Sequence, residues 1–282
     1  MLDIFSPLPM SERRTQRVAY RRFLNERDGI PNPATWTLSR REERMARYTR
    51  PLPRLREIDS ALFLREYASF RPVQPMTSEA SLLMALVKLN AAEAYGVSQT
   101  FGLATERAET GPDDVELLMH MEEAYHTRIL LSAALLYGLQ ITEPRRPPAV
   151  LRALIVGIGR APDLLSRPLL LAAEIVGATT FLNVLCAVPT ILKHDPELRD
   201  AVEERLIEVL VDEIGHISFN RMVLGRAGLL RARMLLPLAA QGVAHSVPIL
   251  RSLGMKTTAA DANTITTSAR LPELVRRAAF VV

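Results

Sequence analysis

The sequence predicts an all-α protein, and three observations carry the prediction. Ala and Leu are abundant while aromatic residues make up only 5% of the 282 residues, a composition that favours helix. From Thr77 onward, apolar residues recur at helical spacing over stretches too long for strands. No strand or hairpin signal stands out anywhere in the chain.

Residues 1–76 are rich in Arg and Pro, and helical patterning there is confined to short patches at 11–27 and 57–69. This extension is expected to pack on a helical core spanning 77–254. The first long helix runs over 78–104, with Thr77 or Ser78 as its cap. ETGPDD then places Gly111 at a cap, Pro112 at the first helical position, and Asp113 and Asp114 in the next first turn. The second helix follows over 112–137 and stops at Gly138. EPRRPP (143–148) is a break, and a short apolar segment fills 149–158. A third helix is expected over 167–192. Asp195 and Pro196 then start a fourth over 196–226, and a fifth, apolar helix over 229–252 closes the core. Residues 255–282 read as a polar linker, TTAADANTITTSAR, and a short amphipathic tail.

Composition excludes several classes. One cysteine, Cys186, rules out an internal disulfide or a multi-cysteine metal site and suits a reducing, cytoplasmic setting; it reads as a small buried group. The start, MLDIFSPLPMSERR, has prolines where a secretory signal would have an apolar run. Residues 168–192 are long enough to span a bilayer, yet Glu174, Asn183 and Pro189 interrupt them, so a buried core helix is expected. The net charge of +4 comes almost wholly from arginines, many of them early, in RRTQRVAYRR and LSRREERMARYTRPLPRLRE. They read as a solvated face, or as a docking face for an acidic partner or anionic substrate. Without interleaved aromatics, they do not suggest nucleic-acid binding.

Chemistry concentrates in two tetrads. HMEEAYH (120–126) contains Glu122-Glu123-x-x-His126, and VDEIGH (211–216) contains Asp212-Glu213-x-x-His216. Glu and His three residues apart share a helix face, so each tetrad can offer one oxygen and one nitrogen to a common point. The other two long helices each carry a lone Glu in apolar surroundings, Glu93 in LNAAEAYGV and Glu174 in LLAAEIVGA. Glycine follows each at the position where the tetrads have His, at Gly96 and Gly177. Half a helix, a turn and half a helix fit between Glu93 and Glu123 and again between Glu174 and Glu213, so all four stretches can meet at mid-height. Glutamates buried without counter-charge would cost several kcal/mol each, in order of magnitude, and two divalent ions would balance them. A mixed oxygen and nitrogen donor set without thiolate suits iron or manganese better than zinc. Glu122 and Asp212 are placed to accept the outer N–H of a metal-bound imidazole on the facing helix. His120, one turn before Glu123 on the same face, reads as a residue that supports the ligands or faces solvent, with an added ligand as the alternative. Gly96 and Gly177 leave room beside the metals or allow close helix packing.

This arrangement resembles the ferritin-like di-iron carboxylate superfamily, which takes one Glu from each of two helices and Glu-x-x-His from each of the other two. The resemblance covers residues 78–226 and implies a ferritin-like four-helix bundle with additional N- and C-terminal helices. It implies two iron ions, or a manganese–iron pair, held by Glu93, Glu123, His126, Glu174, Glu213 and His216. It also implies dioxygen activation, an external electron donor of ferredoxin or flavin-reductase type, and a homodimer. Within the superfamily the chain is most similar to bacterial arylamine N-oxygenases, in length, helix plan and the stretch DEIGHISF (212–219). Those enzymes have a further His ligand where this chain has Val209, which leaves N-oxygenation, hydroxylation and desaturation open. Leu130 stands where the small subunit of ribonucleotide reductase has its radical tyrosine. Acyl-carrier-protein desaturases and acyl oxidases are the alternative, with an acidic carrier suited to the Arg-rich face, and iron storage is a further one.

Overall fold

A computed structural model describes residues 4–32, 34–50, 56–69, 75–109, 114–265 and 270–280, with backbone alone at 90, 92, 93, 99–109, 114, 150, 154, 163 and 277–280. The described residues are all-α apart from one minimal hairpin. The elements are α1 (Met10–Asp28), β1 (Pro31–Asn32), β2 (Thr37–Leu38), α2 (Ser39–Tyr48), α3 (Ser60–Ala68), α4 (Ser78–Glu109) and α5 (Asp114–Ser132). They continue as α6 (Ala149–Arg160), α7 (Asp163–Ile191), α8 (Pro196–Val223), α9 (Arg226–Ser246), α10 (Ile249–Ser252), α11 (Ala259–Asn263) and α12 (Glu273–Phe280).

Four long helices position the site. α4 packs along α5 and α7 along α8, while α5 meets α8 and α4 meets α7. Their starts are set by local chemistry. Thr77 Oγ1 accepts from Ala80 N at 3.2 Å, and Asp195 Oδ1 accepts from Leu198 N at 3.0 Å with Pro196 behind it. α7 is the one helix among the described residues long and apolar enough to cross a membrane, but 61% of its apolar 18-residue segment is buried, and it packs along α8 and α9. Its two buried threonines, Thr179 and Thr180, bond back to the carbonyls of Ile175 and Val176, so neither hydroxyl is stranded in that packing.

Several expected boundaries move. The second helix ends at Ser132 and tightens into a 3₁₀ turn over Ala133–Tyr137, before Gly138 takes φ +69°. The apolar segment 149–158 is itself a helix, α6. α7 starts four residues before the expected 167, because Pro162 is the cap and Pro168 sits within the first turns. Pro189 does not break α7, since it lies in the exposed last turn. The fifth helix splits at Pro248, which has no N–H to continue α9. The polar linker contains α11, held by a capping box between Thr258 and Asp261. Two elements had no expectation: α2, and the β1–β2 pair, which is antiparallel with Pro31 opposite Leu38. The expected Gly111, Pro112 and Asp113 turn lies outside the described residues.

Candidate metal centre

Two groups of buried charge meet between α5 and α8, and they differ in how they are balanced. The inner group holds Glu123 and His126 from α5, and Glu213 and His216 from α8. His126 Nδ1 lies 3.3 Å from Glu123 Oε2 and 3.4 Å from Glu213 Oε1. His216 Nδ1 lies 2.9 Å from Glu123 Oε1. The two rings stand 5.9 Å apart between centroids. Glu123, His126 and Glu213 offer ligand atoms that all lie within 4.8 Å of one another.

The outer ring nitrogens face the other way. His126 Nε2 is 2.9 Å from Asp212 Oδ2, and His216 Nε2 is 3.0 Å from Glu122 Oε2. Each acid therefore pairs with the imidazole of the facing helix. A carboxylate accepts, so each Nε2 carries a proton, and a metal ion would take the Nδ1 position of each ring in place of its second proton. His216 Nδ1 is buried and makes no hydrogen bond of acceptable geometry among the described residues, despite its closeness to Glu123. A buried ring nitrogen beside a carboxylate but not bonded to it suits two ligands of a shared third atom, so the residues present fit a metal ion.

Glu174, on α7, joins this group through α8. Asn220 Nδ2 lies 2.9 and 2.8 Å from its two oxygens. Burial pushes its carboxyl up to about 8, helped by Glu213 and Glu123 and opposed by His216. Burial likewise raises Glu213. Glu123 goes the other way: against the effect of burial, His126 and His216 hold its carboxyl well below the usual range. Among the described residues, no guanidinium or ammonium pairs with Glu123, Glu174 or Glu213, and the only positive charge the chain offers them is on the two imidazoles. Both imidazoles are raised above their ordinary value by these and the outer acids, although burial opposes the charge.

The outer group is the opposite case. Arg41, with no exposed side chain, binds Asp212 through both terminal nitrogens, at 3.2 Å for Nη1. Arg27 also pairs with Asp212 and reaches Glu122 Oε1 at 3.5 Å and Glu208 Oε1 at 3.1 Å. Arg44 bridges Asp28 and Glu208, the latter at 2.8 Å. Against burial, Arg27 and Arg41 hold Asp212 well below the usual carboxylate range, while burial and Asp212 push Glu122 up to about 8. Asp28, Glu122 and Asp212 are also close enough together to hold an ion, but three arginines already occupy them.

These arginines correct the sequence reading of the N-terminal segment as a solvated or docking face throughout. Arg27, Arg41 and Arg44 turn inward, because α1 and α2 lie over α8 and α5 and bring their charge to acids that α8 and α5 bury. Asn220 is the other residue that sequence reasoning missed. The available signal was its position, four residues after His216, in a helix buried on every side from Val209 to Met222.

Of the remaining expected residues, the side chain of Glu93 lies outside the described residues, with its backbone in α4. His120 is half-buried and belongs to neither converging group among the described residues. A Cβ on Gly177 would lie 4.0 Å from Glu213 Oε2, so Gly177 borders the site. A Cβ on Gly96 would meet Ile155 of α6 at 4.0 Å, so Gly96 serves helix packing there. Cys186 is exposed on α7, not buried, and His245 is exposed on α9, bonded to Gln241 O at 2.8 Å. Tyr125 is buried and its hydroxyl ties α5 to the hairpin, accepting from Leu38 N at 2.9 Å and donating to Glu42 at 2.7 Å. No protein-family model, curated protein or solved structure matches the chain.

Proposed function

We propose that the protein is a non-haem di-iron oxygenase of ferritin-like architecture that uses dioxygen to oxidise a small or carrier-bound organic substrate. One observation supports this above the others: Glu123, Glu174 and Glu213 gather at two buried imidazoles with no guanidinium paired to them among the described residues, beside acids that three arginines neutralise. Glu123, His126, Glu174, Glu213 and His216 would hold the ions, with Glu93 of α4 as the sixth donor. A pair of iron ions, or manganese with iron, supplies two-electron reduction of dioxygen when bound.

The chain's own residues then have separable tasks. Glu122 and Asp212 fix the tautomer and the ring plane of the two imidazoles. Asn220 holds the Glu174 carboxylate in place through both oxygens. His126 and His216 are themselves fully buried, which keeps bulk water from the imidazole side. Glu123, at 21% exposure, and the half-buried Glu174 and Gly177 mark the side from which a substrate approaches. N-oxygenation, hydroxylation and desaturation share these needs. A cytoplasmic homodimer served by an external reductase is part of the same proposal.

The test is anaerobic loading with two equivalents of Fe(II) per chain, then air, in the presence of aromatic amines, acyl thioesters or simple aromatics. Oxygen uptake stimulated by one substrate class, with an oxidised product, is the expected result. Uptake indifferent to every substrate, with a shell-like assembly holding many irons per chain, would replace the proposal with iron storage.

A further inference from the structure

Helix α9 is apolar on two sides, and only one of them is covered. Leu229, Ala232 and Leu236 are buried, where α9 packs along α7 and meets α11. Across the helix, Ala227, Leu230, Met234 and Pro237 recur at three- and four-residue spacing with Leu238 beside them, and all five are exposed. Leu230 is 58% exposed, Met234 73% and Leu238 50%. Arg231 Nη1 donates to Leu164 O at 3.4 Å, which sets Leu164 and Leu165, exposed at the start of α7, beside this stripe. Single exposed leucines are ordinary on a protein surface, but five large apolar side chains gathered on two adjoining helices mark an interaction site.

The charge on this face has one sign. No Asp or Glu occurs between Glu213 and Asp261, a stretch that carries Arg221, Arg226, Arg231, Arg233, Arg251 and Lys256. By helical position, the exposed Arg226 and Arg233 border the stripe on one edge and the half-buried Arg231 borders it on the other. Among the described residues no acid pairs with these three; Arg233 lies over the Phe5 ring, 5.7 Å from its centroid. At the start of α7 the one acid, Asp163, stands between Arg160 and Arg167, and Arg167 is paired with Glu116 at 2.9 Å.

We propose that α9 and the start of α7 form a peripheral docking face for an anionic phospholipid bilayer, on which α9 lies in the plane of the headgroups without crossing the membrane. Leucine and methionine flanked by arginine, with no acid on the helix, match that boundary: the apolar side chains enter the acyl region while the guanidiniums meet phosphates. A second copy of the chain is the competing occupant, and charge disfavours it. A two-fold contact through the stripe sets the same three arginines of both copies face to face, with no acid on either α9 to separate them. An acidic protein would answer the arginines but leave the leucines and Met234 against its own polar surface. The proposal is independent of what the metal centre does.

The experiment floats the full chain with vesicles of phosphatidylcholine, alone or mixed with phosphatidylglycerol. The parent should rise with the mixed vesicles and far less with the neutral ones. Arg226→Gln/Arg231→Gln/Arg233→Gln should weaken binding by roughly tenfold or more, since each arginine near such a surface contributes about fivefold. Leu230→Gln/Met234→Gln/Leu238→Gln should weaken it by a similar factor with the net charge unchanged. Circular dichroism and the thermal midpoint check that both variants keep the parent fold, and Leu230→Ala/Met234→Ala/Leu238→Ala replaces the glutamine variant if that one unfolds. Met234→Cys in a Cys186→Ser background, labelled with an environment-sensitive dye, should shift to the blue on the mixed vesicles. Equal flotation of parent and both variants would overturn the proposal. Loss in the arginine variant alone, with no dye shift, would overturn it too and leave only the general attraction of a basic chain for anions. No flotation of the parent would turn the stripe over to a protein: to a second copy if the chain is a dimer that the glutamine variant splits, and to an acidic partner if it is a monomer.

Discussion

Replacing Glu174 by Gln should make the metal-free protein more stable, which is an unusual expectation for a buried, hydrogen-bonded residue. Its carboxyl is pushed from 4.5 to about 8, so at neutral pH the folded chain holds a proton there that the unfolded chain releases. At about 1.4 kcal/mol per pH unit, the penalty at pH 7 reaches about 3 kcal/mol as an upper bound. Glu174 is only half-buried, and solvent screening reduces the figure to roughly 1–2 kcal/mol. The sign follows from the raised value. The penalty is absent below the ordinary carboxylate pKa, grows as pH rises, and is complete above about 8. Gln keeps an oxygen for Asn220 and removes the penalty. Urea unfolding of chelator-treated parent and Glu174→Gln at several pH values measures this. The variant should be the more stable at pH 7, and the difference should vanish near pH 4. A divalent ion at a hundred times its Kd should stabilise the parent by about 2.7 kcal/mol and the variant by less. A variant less stable than the parent at pH 7 would mean that Glu174 has a positive partner within the chain, and the charge argument for a metal would fail.

The outer group should respond with the opposite sign. Arg41→Met leaves Asp212 without its buried two-point partner and should destabilise the protein by about 3–5 kcal/mol, read by denaturant midpoint, with less loss in Arg41→Met/Asp212→Asn. Gly215→Ala forces a methyl against Tyr20 and should cost about 1–3 kcal/mol; Tyr20→Phe should relieve only part of it, because ring carbons lie at 3.1 and 3.3 Å. Cys186, exposed on α7, should take up one maleimide per native chain without denaturant, whereas a buried thiol would react only on unfolding.

The all-α class and the main helices were legible because they rest on local chemistry, on caps such as Thr77 and Asp195 and on long apolar periodicity. The crosswise contact of Glu122 with His216 and of Asp212 with His126 was legible too. A ring that turns one nitrogen to a centre between two helices sends the other toward the facing helix, where the acid before that helix's ligand glutamate can meet it. The arginines were not legible. A run such as RREERMARY shows that one face is charged, but only the docking of α2 against α5 and α8 decides that Arg41 and Arg44 turn inward. The demand for them was already in the sequence, since Asp212 and Glu122 lie in apolar helices with no local counter-charge. Cys186 misled for the converse reason. An all-round apolar helix was read as buried on all sides, yet α7 leaves one edge at the surface. Helix ends missed where proline acts by position: Pro189 in an exposed last turn is tolerated, while Pro248 ends α9.

The most direct test is an anaerobic titration of the metal-free chain with Co(II), followed by absorption and X-ray absorption spectroscopy. The account predicts two ions per chain with oxygen and nitrogen ligands only, and loss of this uptake in Glu123→Gln and His216→Ala but not in Asp28→Asn. Saturation at one ion or none, or uptake that depends on Asp28 and survives both other substitutions, would contradict it.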